Sequence, residues 1–254
     1  MPDPLPHAAL VTGAARRIGR AIALGLHRAG YGVAIQANRS VAEAEALRDE
    51  IAGAGGRAAV VRADLSDHAA VAALVPAAVN AIGPLTLLVN NAATFEPDAI
   101  GSLDVERFER QFAVNLRAPL FLSEAFAAQA PQRANAAIVN ILDQRVLKLT
   151  PHFLSYTLAK SALHAATRML AQALAPNVRV NAVAPGPTMA SARQQQQDFA
   201  RQAAAVPLAH GPSAEEIAGA VVYLAGARSI TGVTLAVDGG QHLAWQTPDT
   251  GVAE

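Results

Sequence analysis

Apolar and polar positions in this chain switch repeatedly between a period of two and a period near 3.6. Ala8-Ala-Leu-Val-Thr12 is a short apolar run closed by Gly13, and helical spacing follows from Ile18 to Ala29 with Gly30 as a stop. Gly32 to Gln36 reads as a second strand, the Ala/Glu-rich stretch Val41 to Ala54 as a helix, and Ala58 to Arg62 as a third strand. The alternation continues with a helix at Asp67 to Ala81, a strand at Leu85 to Asn90, and helices at Val105 to Leu116 and Pro119 to Ala130. Ala136 to Leu142 is a further strand, Ser155 to Ala175 a long helix, and Val178 to Val183 a β-branched strand. The glutamine run Gln194 to Gln197 falls inside a mobile helix, part of a segment 189–210 expected to cover a substrate. A capped helix at Ala214 to Ala225 and a strand at Thr231 to Val237 precede Asp238-Gly239-Gly240.

Strands alternating with helices imply right-handed crossovers and a parallel sheet covered on both sides. The expected fold is a three-layer α/β Rossmann-type domain, with one parallel sheet of about seven strands and helices on both faces. It spans 1–254 as one domain, with flexible tails at about 1–6 and 246–254. Such a sheet binds its ligand beyond the carboxyl ends of its strands, where the strand order reverses.

Composition narrows the class of ligand. The chain is 52% apolar and 16% charged, enough apolar surface to cover both faces of a buried sheet. Twenty basic and twenty acidic residues cancel, leaving no electrostatic footprint for nucleic acid or an anionic membrane. The absence of cysteine excludes disulfides, thiolate catalysis and zinc-thiolate sites, and the seven histidines lack the pairing of a helical zinc site, so no metal is expected. Without a signal-peptide pattern or a membrane-length apolar run, the chain is expected to be cytoplasmic and to act on a small molecule.

The first turn reads Thr12-Gly13-Ala14-Ala15-Arg16-Arg17-Ile18-Gly19. Small residues between a first strand and a first helix let backbone N–H groups approach a pyrophosphate at the helix N-terminus. An NAD-selective site places a carboxylate about 20 residues further on. Here that region is Gln36-Ala37-Asn38-Arg39-Ser40, without a carboxylate. Arg39 and Ser40, with Arg17 as a second cation, suit a 2′-phosphate, so NADPH is the expected cofactor. Asp64-Leu65, after the third strand, either accepts from an adenine amino group or caps the next helix.

The chain has only two lysines, Lys148 and Lys160. Tyr156 and Lys160 lie one turn apart on one face of a helix, where an ammonium beside a phenol lowers the tyrosine pKa toward the working range of a general acid or base.

At this point the chain resembles the short-chain dehydrogenase/reductase family over nearly its whole length. The matching elements are the Thr12-Gly13 turn, Asp64, Asn90-Asn91-Ala92, Asn115, Tyr156-x-x-x-Lys160, Pro185-Gly186 and Asp238-Gly239-Gly240. The resemblance implies that Gly13, Ile18, Gly19, Asn38, Leu65, Ala92, Pro185 and Gly186 belong to the cofactor site and that Asn91 lines its adenosine or ribose side. It further implies that Lys160 binds nicotinamide ribose, Thr188 meets the carboxamide, Asn115 holds a relay water and Tyr156 supplies a proton. A homotetramer joined through surplus apolar faces of the helices at about Asn115 to Ala130 and Ser155 to Ala175 is implied as well.

Two departures are informative: Arg17 replaces the usual middle glycine, and Asp143 replaces the usual serine before the tyrosine. Both look like the pteridine reductase branch, as does the segment Gly30-Tyr31 through Ser40, and Phe95 falls where that branch stacks a pterin. Ala93 stands where that branch has a ligand-contacting serine. Phe95 otherwise packs the loop after the fourth strand, Arg17 bonds either the pterin edge or cofactor phosphate, and Asp143 either orients Tyr156 or relays a proton. Arg145 and Lys148 either add charge at the mouth or face solvent. The expected activity is dihydropterin reduction. The alternatives are an NADPH-dependent ketone or 3-oxoacyl reductase, and a non-catalytic NADPH-binding sensor.

Overall fold

The structure, a computed structural model, describes residues 7–131, 135–190 and 193–245, so the expected tails lie outside the described residues. The strands are β1 Ala8–Val11, β2 Gly32–Ala37, β3 Ala58–Arg62, β4 Leu87–Asn90, β5 Ala136–Ile141, β6 Val178–Pro185 and β7 Thr234–Val237. They form one 7-stranded sheet in the order β3-β2-β1-β4-β5-β6-β7, every pair parallel. The helices are α1 Arg17–Arg28, α2 Val41–Gly53, α3 His68–Ile82, α4 Val105–Phe112, α5 Ala118–Gln129, α6 Leu154–Leu174, α7 Gln196–Ala204 and α8 Ala214–Gly226.

The two-residue alternation of a strand sorts the core into two layers. In β1, Ala9 and Val11 pack with Ile22, Leu26, Leu47 and Val221 on one face, while Ala8 and Leu10 pack with Leu74, Leu122 and Phe126 on the other. Helices therefore cover both faces, as the near-continuous apolar strands demand. Because every strand is parallel, all seven carboxyl ends open on one edge, and the order reverses between β1 and β4. No helix among the described residues is long and apolar enough to cross a membrane.

Three boundaries depart from the sequence reading for local reasons. β4 starts at Leu87, since the Leu85 N–H and C=O are both taken by the Gln129 side-chain amide. The helices read at 105–116 and 119–130 are one run, joined by a wide turn at Ala113–Arg117 in which the Ala118 N–H reaches the Ala113 carbonyl. Pro119, with no N–H, cannot extend the ordinary ladder there. β7 is shorter than the apolar run suggested, since Gly232 has a φ of +77° and the Val233 N–H donates to the Asn181 side chain before the ladder starts. The glutamine run lies only partly in α7, a helix with no fully buried residue.

Candidate active site

The strand ends bring the candidate residues together, and the first of them build a cradle. Gly13 has a φ of +61°, and a Cβ there would stand 2.9 Å from Ala92 Cα. A Cβ on Gly19 would meet the Gly13 carbonyl oxygen at 2.2 Å and Asn91 Nδ2 at 2.6 Å. Both positions therefore exclude a side chain, because the turn packs there against itself and against Asn91 and Ala92. The Thr12 hydroxyl accepts from the Asn91 and Ala92 N–H groups at 2.9 and 3.0 Å. Asn91 Nδ2 in turn donates to the Thr12 carbonyl at 2.8 Å, so this side chain braces the turn from β4.

Sequence reading missed Gln36. Buried in β2, its amide oxygen accepts from the Gly13 N–H at 2.7 Å and its amide nitrogen donates to the Ala63 carbonyl at 2.8 Å. It ties the glycine turn to the end of β3. The only signal in the sequence was a polar residue inside an apolar strand.

Asn38, Arg39 and Ser40 follow β2, with Arg39 exposed and outside every ion pair among the described residues. Asp64 does not cap the next helix. Asp67 does, accepting from the Ala69 N–H at 2.9 Å. The Asp64 Oδ1 accepts from the Ser66 N–H and hydroxyl, and these bonds, helped by Asn38, lower its pKa. Leu65 beside it is buried and Ile18 half-buried.

Arg17 opens α1 with a φ of +55°, in the left-handed region that glycine usually fills. Its guanidinium donates to the Ala190 and Met189 carbonyls at 2.8 and 3.0 Å, fastening the segment after β6 to the first turn. Pro185 ends β6, a Cβ on Gly186 would collide with Asp238 at 2.6 Å, and the Thr188 hydroxyl donates to the Gly186 carbonyl at 3.0 Å.

The remaining candidates surround Tyr156. The Tyr156 hydroxyl donates to Asp143 Oδ2 at 3.2 Å. Lys160 Nζ donates to the Ile141 carbonyl at 2.6 Å, 5.9 Å from the centre of the tyrosine ring. Phe95 is half-buried beside this pair rather than tucked under its loop: its centroid is 4.8 Å from that of Tyr156, nearly perpendicular, and 4.2 Å from Phe153, stacked. Asn115 is fully enclosed, with its side chain committed to Thr94: Oδ1 accepts from the Thr94 N–H at 3.1 Å and Nδ2 donates to the Thr94 carbonyl at 3.0 Å.

The structure separates Arg145 from Lys148. Arg145 lies over the site, with Nη1 at 3.3 Å from Asp143 Oδ2 and its guanidinium carbon 5.4 and 5.3 Å from the Phe95 and Phe153 ring centres. Lys148 is exposed and donates to the Ala244 carbonyl at 2.7 Å.

The electrostatics correct one expectation. Burial, then the Asp143 charge, pushes the Tyr156 phenol well above its ordinary value, against a smaller opposing pull from Arg145. The net direction is upward, against the lowering expected from Lys160. Burial instead brings the Lys160 ammonium down to about 8, with Asp143 opposing. Within the site the buried tyrosine keeps its proton, and the lysine is the group that titrates near neutrality.

Known proteins match this chain over most of its length. A family model described as enoyl-(acyl carrier protein) reductase matches residues 13–242. FolM alternative dihydrofolate reductase 1 from Brucella canis, solved in complex with NADP, is 51% identical over 97% of this chain and 98% of its own, with a TM-score of 0.93. The Brucella suis protein of the same name, also with NADP, is 52% identical over 96% and 98%, again at 0.93. Pteridine reductase 1 from Leishmania tarentolae is 35% identical over 95% of this chain and 98% of its own. With a family model over most of its length and relatives at these identities and coverages, the chain belongs to the short-chain dehydrogenase/reductase family of oxidoreductases.

Proposed function

We propose that this chain is an NADPH-dependent reductase of dihydropterins. The observation that carries the reading is the cluster in which Asp143 accepts from Tyr156 and pairs with Arg145 while the Phe95 ring lies nearly perpendicular to the same phenol. A ketone oxygen needs only a neutral hydroxyl beside the proton donor. A ring nitrogen is more basic, and a carboxyl group beside the donor suits it. The names of the Brucella and Leishmania relatives support the same substrate class.

The side-chain-free turn at Gly13 and Gly19 suits a dinucleotide pyrophosphate, and Arg39 and Ser40 would supply donors for a 2′-phosphate, whereas the Arg17 guanidinium, expected at a phosphate or the pterin edge, is engaged by the Met189 and Ala190 carbonyls. Asn38, Asp64, Leu65, Asn91 and Ala92 would border the adenosine half. Lys160, Pro185, Gly186 and Thr188 would hold the nicotinamide half. When bound, NADPH supplies the hydride. Asp143 orients the Tyr156 hydroxyl, Tyr156 gives its proton to the reduced substrate, and the Lys160 ammonium offsets the charge left on the phenol. Phe95 offers a stacking face beside the donor. Arg17 occupies a strained backbone position, and a guanidinium placed between the first turn and the 189–190 carbonyls gives that strain a purpose.

The test is NADPH consumption by purified protein with dihydropterins, dihydrofolate, 3-oxoacyl thioesters and simple ketones in parallel. Dihydropterin turnover is expected, with Asp143→Ser lowering it more than any ketone activity, and Tyr156→Phe abolishing turnover while NADPH affinity stays. Turnover of ketones with neither turnover nor binding of a dihydropterin leaves a ketone reductase. NADPH binding with no turnover of any substrate leaves the non-catalytic reading.

A further inference from the structure

The helix that carries Tyr156 and Lys160 has no cap of its own. Phe153, the residue before α6, is in the left-handed region with φ +57° and ψ +48°, and no side chain at that position bonds the first turn. The missing acceptor comes from another part of the chain. Asp98, buried in the loop after β4, accepts from the Ser155 N–H at 3.1 Å and also bonds the Ser155 hydroxyl, while its own carbonyl accepts from the Leu154 N–H at 3.3 Å. Ser155 is fully enclosed, so water does not compete for these groups.

The loop that supplies this cap is the one that carries Phe95. Upstream of Asp98, two amides one turn apart hold it from the other side: Asn115 bonds the Thr94 backbone, and the buried Gln111 donates to the Glu96 carbonyl at 3.0 Å. Phe95 thus sits between two fixed neighbours, and the segment ends three residues later on the Tyr156 helix. A shift of Asp98 against α6 changes the spacing between the aromatic face and the proton donor.

We propose that Asp98 is a positioning residue for the reduction, acting as a remote N-cap that sets the Tyr156 hydroxyl against the Phe95 ring. The inference rests on the reading of Tyr156 as proton donor and Phe95 as stacking ring. Asp98→Ala is expected to lower kcat for dihydropterin by about ten- to a hundred-fold and to raise KM, the scale of loss for a reacting group misplaced by an ångström. Asp98→Asn, which keeps an acceptor for the Ser155 N–H, should recover most of kcat. NADPH affinity, measured by titration, should stay within about two-fold, since among the described residues the hydrogen bonds of Asp98 go to Leu154 and Ser155 and not to residues proposed to hold the cofactor.

Three comparisons separate positioning from loss of stability. Ser213→Ala removes the capping box of α8, a helix that carries no proposed site residue, and should lower the melting temperature without changing kcat or KM. Asp98→Ala combined with Phe95→Ala should raise KM less than the product of the two single effects, because the ring it positions is gone. Where Asp98→Ala does not fold, Ser155→Ala carries the same tests. Unchanged kcat and KM in Asp98→Ala, a kcat loss matched by Ser213→Ala, or strictly multiplicative KM effects would overturn the proposal. Failure of the functional reading shows instead in the unmodified protein, as no dihydropterin turnover, and the cycle is then run on the carbonyl substrate it does reduce.

Discussion

Replacing Lys160 by Met should remove a rise of stability with pH that the unmodified protein shows between about 8 and 10.5. Lys160 is 2% exposed, and burial brings its ammonium from 10.5 to about 8. That fall corresponds to about 3 kcal/mol against the charged form, at 1.36 kcal/mol per tenfold change. In the unfolded chain the amine holds its proton up to 10.5, whereas in the folded chain it does so only up to about 8. Between those values the unfolded chain binds more protons, so folding becomes more favourable as pH climbs. The penalty is present in full below about 8 and relieved toward 10.5.

Methionine removes the ammonium, yet it also leaves the Ile141 carbonyl without its donor at 2.6 Å. An orphaned buried acceptor costs about 1–3 kcal/mol, so at neutral pH the two changes nearly cancel and the slope is the diagnostic. Urea unfolding at intervals from neutral pH to about 10 reads it, provided the m-value stays constant. Tyr31 and Tyr156, both raised by burial, act in the opposite sense only above about 10, where the unfolded phenols lose protons first. A flat curve for the unmodified protein across this window, or an equal rise in Lys160→Met, would refute the assignment of a strained ammonium.

Arg39→Asp should reverse much of a preference for NADPH over NADH of about tenfold or more in kcat/KM, since charge-assisted contacts to a phosphate are worth a few kcal/mol; equal use of both cofactors by the unmodified protein defeats it. Gly19→Ala puts a Cβ 2.2 Å from the Gly13 carbonyl oxygen and should abolish NADPH binding in a fluorescence titration, and retained affinity would mean the turn is not the cradle. Phe121, Leu158 and Met169 remain exposed on α5 and α6, which fits a homotetramer joined through those helices; light scattering at micromolar protein should give four subunits, and a monomeric mass would contradict it.

Period and turn chemistry made the fold legible: seven apolar runs alternating with helical spacing leave little choice but a covered parallel sheet, the strand ends then nominate Gly13 and Asp64, and the family resemblance adds Asn91, Asp143 and Pro185. Tertiary partnerships were not legible. Gln36 bonds the glycine turn and the end of β3 at once, and nothing local distinguishes it from any polar residue in a strand. Asp98 caps a helix that begins far along the chain, so its role follows from loop packing, whereas the local caps Asp67 and Ser213 stand directly before the helices they start. Arg145 could be assigned neither to the site nor to solvent until the 3₁₀ turn after β5 fixed where its guanidinium lies.

The Tyr156/Lys160 pair shows why spacing alone misjudges electrostatics. One-turn spacing places both on a face, but the effect of one on the other depends on what each bonds. Lys160 bonds the Ile141 carbonyl, and Tyr156 bonds Asp143. Burial and that carboxylate therefore dominate the phenol, holding its proton in place rather than releasing it. For a reductase this is the useful direction, because the tyrosine must still carry a proton when the substrate has accepted its hydride. The lysine limits the working range. Below about pH 8 its ammonium and the tyrosine's proton coexist, and above it the charge that would offset a departing proton is lost while the proton itself remains. Turnover should accordingly fall as pH rises through about 8, well before the phenol titrates, and a pH profile in which activity climbs through that range would place the essential base elsewhere.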